Sequence, residues 1–224
     1  MNPLWLPHRA VVDRARSALA RRQSGPPGSA RPIEPGAEHR LSGLRQPDGH
    51  TCGSCSLVAM KMLRNPSYAE MILTAPNPES AFGNAALGVL RKTNAGRDAA
   101  GRRQLPWPRI GGTRPAAMVR LLNSDEGFGA RGLRYRNAVI DPRRPGQVFD
   151  QIVACLHSGE PVPLYVGDHR WMQHIVLITQ ADSDLLRAYN PASGGFDTIT
   201  RTAFIADEIQ VGPWTRPWLA ILPH

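Results

Sequence analysis

Apolar positions change their rhythm along this chain. After residue 50 they recur at helical spacing, and beyond residue 160 they gather into short runs. Leu57, Val58, Met60, Met62 and Leu63 predict a buried helix that starts near Cys52 and stops at Asn65-Pro66, where the residue before proline is pushed out of the α region. Further helices are expected at Tyr68–Leu73, at Pro78–Lys92 (with Phe82, Ala85, Ala86, Val89 and Leu90 on one side) and from Pro115 to Leu122 behind a Thr113 cap. Leu133–Ile140 alternates weakly, as a strand would. Gln147–Leu156 is helical again, with Val148, Ile152, Val153 and Leu156 inward and Ser158-Gly159 as the stop. Val162–Val166, Gln173–Thr179, Leu185–Tyr189, Asp197–Thr200 and Trp218–Leu222 read as strands. Helices first and an antiparallel sheet afterwards predict an α+β fold.

The segment Gln46-Pro-Asp-Gly-His-Thr-Cys52-Gly-Ser-Cys55 turns into the first helix. Pro47, Asp48 and Gly49 supply the turn, and Thr51 is the expected cap. Cys52 then sits where free backbone N–H groups and the positive helix end stabilise a thiolate. Acyl transfer by a thiolate also needs a base, a group that orients the base, and oxyanion donors. His174 opens the apolar run Ile175–Thr179, and Asn190 follows sixteen residues later, past the turn Ala181-Asp182-Ser183-Asp184. The two residues fall at nearly corresponding ends of antiparallel strands, where the amide oxygen could fix the imidazole tautomer. Gln46, across the turn from Cys52, is the candidate side-chain oxyanion donor.

Gln-x5-Cys-Gly at the mouth of a helix, then His, then Asn-Pro, resembles the papain-like cysteine peptidases. The nearer likeness is to the bacterial branch that removes double-glycine leaders from bacteriocins, and to its stand-alone relatives. The Cys-Gly-x-x-x-Leu-x-x-Met run at Cys52 and the Asn190-Pro-x-x-Gly194 turn carry it. The likeness covers about residues 44–63 and 147–207. It implies a helical lobe bearing Cys52 as nucleophile and a sheet bearing His174 as base and Asn190 as orienter, with Gln46 as oxyanion donor. The activity implied is amide hydrolysis through a thioester, with no cofactor or metal, on a protein or peptide substrate. The same machinery serves a protein glutamine deamidase or a transglutaminase. The chain departs from the leader peptidases at Asn190, where they more often carry Asp, and in its long segment between Cys52 and His174.

A different class of reading is a non-catalytic binding module, or a zinc-stabilised domain built on Cys52-x-x-Cys55. Zinc needs two further ligands, and no second short-spaced pair accompanies the cysteines. Cys55 reads as a small buried residue. His169 is the reserve base, Asp182 or Asp197 an alternative orienter, and Trp171 a candidate roof over His174.

At 224 residues and 42% apolar, one domain with a real core is expected. Residues 41–224 are its expected extent. Residues 1–40, with Gln23-Ser-Gly-Pro-Pro-Gly-Ser29, read as a disordered or weakly helical basic tail, helical over Ala10–Arg22. Residues 91–112 read as a basic loop insertion. The net charge of +9 is uneven: residues 1–45 carry +5, residues 91–145 carry +9 and the rest −5. Such basic segments suit an acidic protein surface; without interleaved aromatics they do not suggest base stacking on a nucleic acid. Three cysteines are too few for a disulfide framework, and neither a signal peptide nor a membrane span is evident. A cytoplasmic protein, or one exported without a cleavable signal, is expected. Arginine outnumbers lysine 25 to 2, a usage that goes with a GC-rich bacterial genome.

Overall fold

The computed structural model describes Asp13, Arg14, Arg16, Ser17 and residues 36–98, 101–104 and 111–224. Among them the fold is α+β, with six α-helices and a six-stranded antiparallel sheet. The chain runs α1 (Cys52–Arg64), α2 (Pro66–Leu73), α3 (Pro78–Asn94), α4 (Pro115–Leu122), β1 (Tyr135–Val139), α5 (Pro145–His157), β2 (Val162–Gly167), β3 (Met172–Ala181), β4 (Leu185–Asn190), β5 (Gly195–Thr200), α6 (Arg201–Ala206) and β6 (Arg216–Pro223). The strands lie in the order β1-β6-β2-β3-β4-β5, so the C-terminal strand is inserted between β1 and β2.

Helix α1 is buried nearly all round, from Cys52 to Leu63 except at Lys61, because it runs between the other helices and β3. Asn65-Pro66 ends α1 and starts α2, and Asn77-Pro78 starts α3. The Asn65 and Asn77 side chains accept from Tyr68 N (3.0 Å) and Ser80 N (2.9 Å), each with proline at the first helical position. The sheet separates two apolar clusters. Ile175 and Leu177 of β3 and Leu219 and Ile221 of β6 face α1–α4; Val176, Ile178, Ala220 and Leu222 face α5 and α6. Burial on both faces explains why these strands read as nearly continuous apolar runs.

Every helix and strand expected from residue 52 onward is present, with ends moved by a few residues. Residues 93 and 94, expected as loop, continue α3, and α6 and a short 3₁₀ helix at Ala37–Leu41 were not expected. Both expected threonine caps differ: Thr51 precedes α1 without a side-chain cap bond, and the N-cap of α4 is Arg114. Asp13, Arg14, Arg16 and Ser17 are helical, and Arg16 and Ser17 are buried against the body of the fold. Arg16 Nη2 donates to Pro217 O (2.7 Å) and Ser17 Oγ to Asp141 Oδ1 (2.5 Å), so the expected tail is docked at these positions. The remainder of the Ala10–Arg22 helix, the Gln23–Ser29 linker and Trp107 lie outside the described residues. No helix among the described residues is long and apolar enough to cross a membrane.

Candidate active site

A cleft of about 650 Å³ opens at the start of α1. Cys52 and His174 line it together, with His50, Thr113, Tyr165 and Ile175. Cys52 is the first residue of α1. Its neighbour Gly53 is required by packing: a Cβ there would lie 2.6 Å from Ile175 Cδ1 and 2.7 Å from Thr113 Cβ. The glycine lets the start of α1 press against β3, and Cys52 Sγ receives backbone N–H groups of Ile175, Gly53 and Cys52 itself. The hydroxyl of Thr51 donates backwards to Asp48 O (3.1 Å) instead of capping, which leaves the first-turn N–H groups to the cleft.

His174 and Asn190 are brought together by strand register. Leu177 pairs with Tyr189, and one step further sets Asn190 opposite Val176, two residues from His174 on the same face. His174 Nε2 lies 2.9 Å from Asn190 Oδ1. Asn190 Nδ2 donates to Asp197 Oδ2 (2.8 Å), and Ala192 N donates to Asn190 Oδ1 (3.0 Å). This chain of bonds assigns the hydrogens. A carboxylate only accepts, so the amide turns its NH₂ to Asp197 and its oxygen to His174. His174 must then carry its proton on Nε2, which leaves Nδ1 as the basic nitrogen. Asp197 thus acts on Asn190, one step removed from the imidazole.

Trp214 stacks on the His174 ring, with centroids 4.0 Å apart and planes 11° from parallel. Trp171, the expected roof, is 67% exposed and does not line the cleft. Trp214 lies in the turn Gly212-Pro213-Trp214-Thr215, where no periodic pattern points to it. Burial pushes the Cys52 thiol up to about 11, the three N–H groups only partly opposing it, and pushes His174 down to about 4 against the bond to Asn190. The stabilised thiolate expected at the helix mouth is therefore outweighed by desolvation. At neutral pH the two groups rest as thiol and imidazole.

The turn after Asn190 grips the segment before Cys52. Gly43 N donates to Gly194 O and Gln46 N to Pro191 O (2.8 Å each), and Tyr189 OH donates to Leu44 O (2.5 Å). Gly194 has φ +69°, and a Cβ on it would come within 2.7 Å of Arg45 Cγ, so only glycine fits. Gln46 is half-buried, its Oε1 is buried without a hydrogen-bond partner, and its side chain is not part of the cleft lining.

Cys55 is fully buried one turn further along α1, and His169 lies on an exposed loop. Among the described residues no group of three or more His, Cys, Asp or Glu side chains is arranged to hold a metal ion. No protein-family model matches the chain and no curated protein matches it significantly, so the functional reading rests on this geometry.

Proposed function

We propose that the chain is a papain-like cysteine hydrolase that cleaves amides through a thioester. The observation that carries this reading is the relay Asp197–Asn190–His174, which leaves Nδ1 as the basic nitrogen of a ring that lines the same cleft as Cys52. His174 takes the Cys52 proton on Nδ1 as Sγ bonds to the substrate carbonyl carbon. The Cys52 backbone N–H and its helix end stabilise the oxyanion, while Gln46, the donor that the resemblance implies, has its side chain outside the cleft lining and takes no part in this step. The imidazolium then protonates the departing amine as the C–N bond breaks. Water, deprotonated by His174, attacks the thioester; the acid leaves and the proton returns to sulfur. Because thiol and imidazole start neutral, proton transfer accompanies attack instead of preceding it. Trp214 keeps water from one face of the ring, which holds the imidazole unprotonated.

Iodoacetamide labelling mapped by peptide mass tests the pair. Cys52 is expected to be modified ahead of the buried Cys55 and Cys155, and His174→Ala to slow that modification about 100-fold or more. Equal rates with and without His174, or modification spread over all three cysteines, would show ordinary thiols.

A further inference from the structure

The charge and hydrogen-bonding character of the cleft point to the substrate that the proposed chemistry would act on. Among the described residues its lining includes Arg16, Arg114, Arg170 and His50 but no aspartate or glutamate. Two helices, α1 and α4, begin at its wall, at Cys52 and Pro115. Neither has a side-chain cap bond or an acidic residue in its first turn, so two positive helix ends face the cleft; Asp48, in the turn before α1, is the carboxylate whose charge reaches Cys52. Two buried side chains in the wall carry donors without a hydrogen bond: Arg16, 3% exposed, has none at Nε while its Nη1 pairs with Asp13 Oδ1 at 3.6 Å, and Thr113, also 3% exposed, has none at Oγ1. The carboxylates that surround Arg16, namely Asp13, Asp141 and Asp207, lie outside the cleft lining. Asn137 Oδ1, in the same wall, is a buried acceptor without a partner.

We infer that the cleft binds an acidic polypeptide segment, with glutamate or aspartate side chains held by the basic wall near Cys52. Fixed cations and uncapped helix ends match carboxylates, and the unsatisfied donors match acceptor-rich groups. The orphan acceptor of Asn137 matches a backbone N–H, which a peptide offers and a phosphodiester does not. The inference rests on the cysteine hydrolase reading for what happens after binding, but not for binding itself.

Fluorescence anisotropy on Cys52→Ala, which cannot turn over, tests it. The probes are two end-blocked peptides of equal length alternating alanine with glutamate or with glutamine, and a thymidine oligonucleotide of the same net charge as the first. The glutamate peptide is expected to bind about tenfold tighter than the glutamine peptide at low salt, and tighter than the oligonucleotide. Arg170→Glu, on an exposed side chain, and Arg16→Met are both expected to reduce that preference; the exposed site keeps the test valid where the buried one impairs folding. Equal peptide affinities, a preference untouched by Arg170→Glu, or tighter binding of the oligonucleotide would overturn the inference. Glutamate-selective binding together with an unreactive Cys52 would refute the hydrolase reading alone.

Discussion

Between pH 7 and pH 4 the wild-type chain is expected to lose about 3 kcal/mol more stability than a His174→Gln variant. His174 is 3% exposed beneath Trp214, and burial holds its folded-state pKa near 4, below the ordinary 6.5. Above pH 6.5 the ring is neutral whether the chain is folded or not, and contributes nothing to the pH dependence. Between 6.5 and 4 the unfolded chain binds a proton that the folded chain refuses, so acid favours unfolding. Below 4 both forms are protonated and the loss levels off. Glutamine keeps a polar group beside Asn190 but does not titrate. Carboxylates elsewhere affect both proteins alike and cancel in the difference. Urea unfolding of the two proteins across this range measures it, and parallel stability curves would show that His174 is not held neutral by burial.

The relay behind the imidazole makes a second prediction, graded by distance from the reacting atoms. Asn190→Ala is expected to slow modification of Cys52 by about 100-fold, since the ring then loses the acceptor that keeps its proton on Nε2. Asp197→Ala, which only frees the Asn190 amide to rotate, is expected to cost about tenfold. Asp197→Asn tests the hydrogen assignment itself. An asparagine there can present its own oxygen and keep Asn190 in place, so it should recover most of the loss. Rates of iodoacetamide modification across the three variants give the comparison. An Asp197→Ala variant as slow as Asn190→Ala would mean that the carboxylate acts on the imidazole directly.

Much of this fold is legible in the sequence because its signals are local. Asn65-Pro66 carries both a stop and a start and Asn77-Pro78 a start, and the apolar runs of β2, β3 and β6 carry burial on both sheet faces. His174 and Asn190 are legible for the same reason: a hairpin fixes register, and register fixes which side chains meet. What is not legible depends on contacts between distant segments. Trp214 reaches His174 across 40 residues from a turn with no periodic pattern, and the sequence offers Trp171, the nearer tryptophan, instead. Asp197 is visible as a candidate orienter, but its place behind Asn190 follows only from the β4–β5 pairing of Ala188 with Asp197. Arg16 falls in a stretch that reads as tail, and its burial comes from the start of β6 that it docks on, through Pro217 and Trp218. The helix-end argument for a low Cys52 pKa is sound as far as it goes. Sequence does not reveal how deeply the thiol is buried, and that burial decides the sign.

The central claim is that Cys52 and His174 together perform acyl transfer. Reaction with p-nitrophenyl acetate tests it most directly, because the acetyl group marks the atom that it reaches. The account predicts a burst of nitrophenol with an acetyl thioester on Cys52, followed by turnover, with both phases strongly reduced in His174→Ala. Acetylation that falls on other side chains, or on Cys52 at a rate indifferent to His174, would contradict it.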